Sequence, residues 1–406
     1  MNRDDFARLL TAEAQQLLAE VGHLDAKADV VRLVSKLRAA GHEAGLVAAV
    51  LSQAKLRRRG RAKFGEFADS MLFTEHGLEQ ASRLKVAALH AGRFRSAGIN
   101  HLADLGCGIG AESLAMASLN IRVEAFDIDE VTAAAATYNL APFANASVAL
   151  ADVTTLDLDR FDGLFFDPAR RELTGAARAK AVRKFDPSEF SPNFDWVLEQ
   201  AVTRPTGIKL GPGHPHEAIP EYHDHAVEAQ WVSVAGDLVE LGLWFGALAR
   251  PGIKRAALLI DGEGGSHEIT SNETKQAHAP LGELGAYLHE PDNAVVRSHL
   301  IGVLAKQLGL TGFAPEIAYL TSDDAVQSPW LRSFEVWDSM PFDRKKLKAY
   351  LHERGIGTLE IKKRGADIVP EQLRKELQLK GENAATLVVT RVGDAHRAII
   401  AGSTRR

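Results

Sequence analysis

Only one cysteine, Cys107, occurs in the whole chain. No intrachain disulfide can form, and a cysteine-rich zinc site is excluded. No apolar run reaches the length needed to span a bilayer. The first residues, MNRDDFARLL, are charged early and carry no apolar signal-peptide core, so a cytoplasmic location is expected and no membrane partner. Positive charge is not in excess: 48 Lys and Arg stand against 53 Asp and Glu, a net charge of −5. That excludes a chain coated in basic residues and leaves room for a local basic patch. Histidines gather in GPGHPHEAIPEYHDH (His214, His216, His223, His225), but their spacing matches no rigid ligand motif and the stretch reads as a loop. No metal is expected there. At 406 residues of ordinary globular composition, the chain is long enough for a large core and more than one domain.

What is present is organised around residues 101–110, HLADLGCGIG. The stretch opens apolar, passes Asp104 and runs through Gly106, Gly108 and Gly110 into AESLAMASL. It reads as a buried strand, a glycine-rich turn and a helix start. Glycine suits a turn whose backbone a ligand must approach. Seventeen residues beyond Gly110, IRVEAFDID reaches Asp127, an acid at the end of a second strand, where it can take ribose hydroxyls. A dinucleotide-binding fold shares the Gly-x-Gly-x-Gly pattern and is the competing reading. The D-L-G-C-G-I-G form and the second-strand acid point elsewhere: the sequence resembles class I S-adenosylmethionine-dependent methyltransferases.

Taken in order, residues 1 to about 50 read as amphipathic helices, with Phe6, Leu9, Leu10, Leu17, Leu18 and Val21 at helical spacing. A cationic cluster follows, Lys55, Arg57, Arg58, Arg59, Arg61 and Lys63, either a solvated helix face or a phosphate-contacting stripe. One helix is expected over 73–95, capped by Thr74 with Gly77 in its first turn. Strands are predicted near 101–105, 121–127, 146–150, 161–166 and 206–210, with helices near 110–119, 130–140 and 191–203. WVSVAGDLVELGLWFGAL and KRAALLID read as the last two strands, and the polar stretch after residue 262 as a linker. The alternation predicts a mostly parallel doubly wound sheet. Gly106, Asp127, Asp152 and Asp167 all fall at carboxyl ends of strands, where such sheets bind ligands. Beyond residue 338 the order is helix, strand, helix, strand, strand, turning at Gly355, Gly365, Gly381 and Gly393.

That tail, with E-I-K-K-R-G (360–365), resembles the THUMP-like domain that follows some methyltransferase cores, and 281–335 resembles the ferredoxin-like piece that often precedes it. The resemblance implies an α/β fold: a Rossmann-like class I methyltransferase core (73–262), an N-terminal helical region (1–72), a ferredoxin-like segment (281–335) and a C-terminal α+β THUMP-like domain (338–406). It implies S-adenosyl-L-methionine as methyl donor and RNA, transfer or ribosomal, as partner. Asp104, Gly106 and Gly108 would then line the methionine part, Asp127 would hold the ribose and Asp152 the adenine amine with Val153 beside the ring, and Gly110 and Ile128 would also touch the cofactor. Phe73, Thr74 and Gln80 are the candidates for closing one side of that pocket. A small-molecule or protein methyltransferase, or an inactive RNA-binding factor on the same scaffold, are the alternatives.

Asp167 is the acid expected to face the acceptor. Base-amine methyltransferases carry Asn/Asp-Pro-Pro-aromatic at this place; here Asp167-Pro168 is followed by Ala169-Arg170-Arg171, and the stacking ring is missing. Arg170 can stack through its guanidinium or bind phosphate. Pyrimidine C5 chemistry needs a cysteine near this loop and is discarded, because Cys107 lies in the glycine turn. Ribose 2′-O enzymes carry a Lys-Asp-Lys-Glu set, and Lys85, Asp167, Lys209 and Glu240 occur in that order, with Lys209 as the candidate base. The retained Asp-Pro pair inclines the reading to a base nitrogen. The basic run Lys362-Lys363-Arg364, with Lys345, Lys346 and Lys348, is the expected RNA contact in the tail.

Overall fold

The computed structural model describes residues 3–22, 27–170, 186–221 and 225–403. Two compact units emerge: residues 1–210, 215–227 and 243–250 form the first, and 211–214, 228–242 and 251–406 the second.

The first unit opens with α1 (Arg3–Leu9), α2 (Ala12–Val21), α3 (Lys27–Ala39) and α4 (Ala44–Phe64). Their apolar faces meet: Phe6, Leu9, Leu17, Leu18 and Val50 are buried in a cluster that also takes in Ile109 and Ala135. Next come α5 (Glu75–Gln80), α6 (Leu84–Ser96), β1 (His101–Leu105), α7 (Ala111–Ser118), β2 (Arg122–Asp127), α8 (Glu130–Leu140), β3 (Ala146–Leu150) and β4 (Gly163–Phe166). A two-stranded ribbon of β5 (Ala169–Arg170) and β6 (Phe190–Ser191) precedes α9 (Phe194–Ala201) and β7 (Thr206–Leu210). The main strands lie in the order β7-β4-β1-β2-β3, every pair parallel. The chain moves outward from β1 to β3, then returns to the other side of β1. The order therefore reverses between β1 and β4, and the carboxyl ends there are where such sheets form a ligand-binding crevice. β1 and β4 are buried along almost their whole length, as strands covered on both faces must be.

Two expectations about this unit change. The single helix over 73–95 is two helices, α5 and α6. Lys63 donates to the carbonyls of Glu79 and Ala81, each at 2.7 Å, and Lys209 to that of Gln80 at 3.0 Å. Two ammonium groups thus take the three carbonyls that the next helical turn would have bound, and the helix stops. The cationic cluster of α4 is neither a bare solvated face nor an open phosphate stripe. Arg57 donates to the Met71 carbonyl at 2.8 Å, Arg59 pairs with Glu75, and Arg61 holds Asp69 at 2.5 and 3.0 Å. These cations tie the chain that leaves α4 back onto the helix.

The second unit holds two sheets. In one, β8 (Val227–Val234), β9 (Asp237–Phe245), β10 (Arg255–Ile260) and β11 (Ser266–Ser271) take the order β11-β10-β8-β9, β8 parallel and β11 antiparallel to β10. The last residues of β9, 243–245, belong to the first unit. The stretch read as one strand breaks at Ala235 and Gly236, both at positive φ (51° and 88°). The stretch read as a linker contributes β11, whose six residues bury only Ile269 and so show no apolar alternation. The other sheet joins β12 (Tyr287–Pro291), β13 (Leu320–Ser322), β14 (Leu331–Pro341), β15 (Ile356–Arg364), β16 (Asn383–Val392) and β17 (Ala395–Ser403) in the order β13-β12-β14-β17-β16-β15. Between its strands run α10 (Asn293–Arg297), α11 (Ile301–Leu308), α12 (Arg344–Glu353) and α13 (Pro370–Leu377). Alternation along β16 splits its side chains: Leu387 and Val389 pack with Leu347, Leu351, Leu373 and Leu377 of α12 and α13, and Val388 packs in a separate cluster with Leu288 and Phe334.

The Ala235-Gly236 turn generates a test. Two residues at positive φ between neighbouring strands suit Asn-Gly, and alanine is strained in the left-handed region. Ala235 is exposed. Ala235→Asn is expected to raise unfolding free energy by about 0.5–1 kcal/mol, read by urea denaturation. An unchanged or lower midpoint would remove the strain argument.

Candidate active site

The glycine turn after β1 carries three left-handed glycines, Gly106, Gly108 and Gly110, at φ 88°, 56° and 84°. A Cβ on Gly106 would stand 3.0 Å from the backbone oxygen of Asp167, so glycine lets the turn lie against the end of β4. A Cβ on Gly108 would point into open space, which leaves that backbone accessible. The Gly108 N–H donates to Asp127 Oδ2 at 3.0 Å, and the Asp129 N–H to Oδ1 at 2.9 Å. Burial raises the Asp127 pKa while these backbone donors work against the rise. Next to it Ile128 is 67% exposed, and Leu150, the register partner of Asp127 on β3, is 57% exposed. Leu150 was not expected here, because an apolar residue in a strand reads as core. Val153 is buried. Asp152 is exposed and caps its own turn, accepting from Thr154 N–H at 3.0 Å and Thr154 Oγ1 at 2.7 Å.

Asp104 is buried beneath the turn. Ser113 Oγ donates to its Oδ2 at 2.5 Å, and its Oδ1 has no hydrogen-bond partner among the described residues. Burial pushes its pKa up to about 7, against the pull of Ser113. Its neighbour Glu112 is equally buried yet titrates below its ordinary value: burial raises it, and His90, Ser82 and Lys209 together outweigh that rise. His90 Nδ1 lies 3.2 Å from Glu112 Oε2, and the ring packs 5.1 Å from that of Trp244. Sequence reasoning missed this pair. The two residues lie on different helices, and a glutamate in a helix's first turn reads as a solvated partner of the helix dipole.

Across the crevice, Lys209 of β7 donates to Asp167 Oδ2 at 2.5 Å as well as to the Gln80 carbonyl. Lys63 is near: burial, then Lys209 and Arg83, bring its pKa down to about 8. Pro168 is buried. The backbone of Arg170 pairs with Phe190, while the Arg170 side chain and all of Arg171 lie outside the described residues, as does His223. Of the four-residue set, Asp167 and Lys209 are in contact, Lys85 is exposed on α6, and Glu240 is buried in the second unit.

The segment between α4 and α5 is held by buried side-chain amides. Asn139 of α8 accepts from Leu72 N–H at 2.8 Å and donates to the carbonyls of Leu72 (3.0 Å) and Ile109 (2.9 Å). Gln53 of α4 accepts from Phe73 N–H at 3.1 Å and donates to its carbonyl at 2.5 Å. Thr74 caps α5 by accepting from Gly77 N–H at 2.9 Å, as expected from the sequence. Phe73 is a correction: its ring is fully buried against Phe64, 5.6 Å between centroids, so it is core and closes no pocket. Gln80 contributes its carbonyl rather than its exposed side chain. A Cβ on Gly77 would come 2.4 Å from Ile109 Cγ2, so α5 sits directly on the glycine turn.

In the tail, the run Lys362-Lys363-Arg364 is spent within the fold. Lys362 pairs with Glu290 at 2.7 Å, Lys363 donates to the Ile368 carbonyl at 2.7 Å, and Arg364 to that of Ala318 at 2.6 Å. Lys345 and Lys346 of α12 are exposed. Among the described residues no group of three or more His, Cys, Asp or Glu side chains could hold a metal ion.

Residues 331–403 match a family model described as THUMP domain-like, and residues 2–60 match a domain of unknown function (DUF8688). Two uncharacterized S-adenosylmethionine-dependent methyltransferases of Mycobacterium tuberculosis, from strains CDC 1551 / Oshkosh and H37Rv, are each 32% identical over 344 residues, which is 83% of this chain and 91% of theirs. A solved structure from Porphyromonas gingivalis W83, assigned as a methyltransferase, covers 94% of this chain and 100% of its own at a TM-score of 0.68 and 19% identity. That likeness shows a shared fold.

The amide clamp is testable. Asn139→Ala leaves the Leu72 N–H and two carbonyls buried without their partner, and is expected to cost about 3 kcal/mol of unfolding free energy. Hydrogen exchange at the Leu72 amide should rise with it. A loss no larger than that of an ordinary surface alanine would mean the segment is held by its apolar packing instead.

Proposed function

Because the chain belongs to the S-adenosylmethionine-dependent methyltransferases, we propose that its acceptor is RNA and that the methyl group goes to a base nitrogen. The observation that carries the RNA reading is the THUMP domain-like stretch at 331–403, joined to a methyltransferase fold in one chain. The lysines Lys345 and Lys346, exposed at the start of α12, supply cations for phosphate. A cytoplasmic location goes with this reading; no described helix is long and apolar enough to cross a membrane.

The crevice fits the methyl donor. Asp104 Oδ1, buried without a hydrogen-bond partner among the described residues, would receive the ammonium of the methionine part. Asp127 would take the ribose hydroxyls. Ile128, Leu150 and Val153 would offer apolar surface to the adenine, with Asp152 at its edge, and the open space over Gly108 leaves room for the chain between them. When bound, S-adenosylmethionine supplies an electrophilic methyl group on a sulfonium. The chain's own residues then align the acceptor, since an in-line displacement depends mainly on positioning. Asp167 stands at the switch point of the sheet and would accept from the target N–H, with Pro168 fixing the backbone after it, and Arg170, three residues on in the chain, is the candidate for phosphate or stacking. Lys209 donates to both Asp167 and the Gln80 carbonyl, so its amino group is engaged within the site. A lysine tied in this way to Asp167 and a backbone carbonyl is poorly placed to take a proton from a ribose hydroxyl, which supports a base nitrogen over the 2′-oxygen.

Two results are expected. Calorimetry should find S-adenosylmethionine binding that strengthens as pH rises through about 7, because Asp104 must lose its proton to pair with the ammonium. Asp104→Asn should weaken binding and flatten that dependence. An unchanged pH profile in the variant would take Asp104 out of the donor site.

Cellular RNA incubated with enzyme and donor should yield a new base-methylated nucleoside by mass spectrometry. Lys345→Ala with Lys346→Ala should weaken RNA binding and reduce its salt dependence by about two counterions. Methylation of protein or small molecules but not RNA would overturn the substrate class, and an alkali-resistant phosphodiester beside the modified residue would move the methyl group to the 2′-oxygen.

A further inference from the structure

The second unit contains a cavity of about 320 Å³ that shares no residue with the crevice just described. Its walls come from the segments 276–281, 296–301 and 312–318. They are tied to one another by backbone: Ala277 N–H donates to the His299 carbonyl at 3.2 Å, Gly302 N–H to Ala277 at 2.8 Å, and Gly312 N–H to Pro280 at 2.8 Å. A Cβ on Gly302 would come 2.5 Å from the His278 carbonyl oxygen, so α11 starts hard against the 277–278 backbone. Two lining residues, His299 and Glu316, hold positive φ (63° and 60°) without being glycine. Strain of this kind persists only where the surroundings enforce it, and it concentrates at binding sites.

The lining has two chemistries. Arg297, His278 and His299 are its cationic or cation-forming members. One Arg297 nitrogen, Nη2, donates to the His214 carbonyl at 3.1 Å, while its Nε is buried with no hydrogen-bond partner among the described residues. The His299 pKa is lowered by burial and then by Arg255, Arg297 and His278, which places four cationic or cation-forming groups around one spot. The apolar part of the lining includes Ile301, Ile317 and Leu281, the last 59% exposed. Glu316 is the one carboxylate of the lining and is exposed.

We propose that this cavity binds a nucleoside monophosphate, its phosphate on Arg297, His278 and His299 and its base on Leu281, Ile301 and Ile317. A guanidinium with an unused N–H beside two imidazoles is a phosphate-recognition set, and a dianion offsets the mutual repulsion of those groups. Apolar walls with one carboxylate suit a base and its ribose. The volume lies at the small end of the roughly 300–1,000 Å³ common for small-molecule sites, which fits one nucleotide and no longer piece of chain. A free nucleotide and the 5′-terminal nucleotide of an RNA present the same groups, and either source satisfies the site.

The test uses the full chain with its methyl-donor site saturated by S-adenosylhomocysteine, whose own binding reports the first unit separately. AMP is expected to bind saturably by calorimetry, with adenosine and ribose 5-phosphate each about tenfold weaker or more. Arg297→Gln should weaken AMP about tenfold or more, the usual cost of a charge-assisted bond to phosphate, and leave S-adenosylhomocysteine affinity unchanged. His278 is exposed, so His278→Asp tests the same charge without threatening the fold and should also weaken AMP. Displacement of AMP by a 5′-phosphorylated oligoribonucleotide, but not by its 5′-hydroxyl counterpart, supports the site with RNA as its source; AMP binding that neither displaces supports it with the free nucleotide as ligand. Absence of AMP binding, or AMP binding that neither substitution alters, overturns the proposal.

Discussion

A single buried carboxamide, that of Asn139, holds the first unit's working parts together. It bonds the Leu72 N–H, the Leu72 carbonyl and the Ile109 carbonyl, and so joins α8, the approach to α5 and the glycine turn. Gln53 grips the next residue, Phe73, in the same bidentate way from α4. Residues 71–73 are buried, in no helix or sheet, and could not stay buried with their backbone groups unpaired. The two amides do for them what a neighbouring strand would otherwise do. With that segment fixed, Thr74 starts α5, Gly77 presses on Ile109, and the end of α5 arrives where Lys63 and Lys209 can take its carbonyls. The position of Lys209 against Asp167 follows from this chain of contacts.

Charge in the crevice is arranged by burial as much as by pairing. Asp104, Glu112, Asp127 and Asp167 all come to the neighbourhood of the β1 turn. Their environments separate them. Asp104 has one hydroxyl donor and titrates high. Glu112 has His90 and titrates low. Asp127 is pinned by two backbone N–H groups, and Asp167 by an ammonium. The result is a site with carboxylates of different readiness to ionise, which is how one pocket can accept a cationic donor and still hold an acceptor group.

The N-terminal helices are part of this arrangement. Their core runs on into Ile109, Ala111 and Ala135, and α4 supplies Gln53, Arg57 and Lys63. The N-terminal region, read from its sequence as amphipathic helices followed by a cationic cluster, therefore helps to fix the segment that leads into α5. In the second unit each member of the basic run at the end of β15 bonds another part of the fold, Lys362 to Glu290, Lys363 to the Ile368 carbonyl and Arg364 to that of Ala318, while Lys345 and Lys346 of α12 are exposed.

By itself the sequence determined what depends on neighbours along the chain. The span of α8, the strands β3 and β7, the glycine turn, the Thr74 cap and the helix–strand order of the tail were legible because periodicity, capping and left-handed glycines are local. The family was legible because the turn and the acid ending β2 stand at fixed spacing. Only the tertiary structure decided which polar side chains face which. Helical period alone continues α5 into α6; lysines from α4 and β7 end it. The family resemblance marks Phe73 as a pocket candidate, and the charge run marks Lys362–Arg364 as a surface for nucleic acid; the fold makes the first core and the second a set of internal ties, and it makes a clamp of Asn139 and Gln53, which no local pattern singles out. The physical reason is common to all of them. An apolar residue needs only to be buried, which its pattern announces, whereas a donor or a charge needs a particular partner, and that partner is fixed by distance in space.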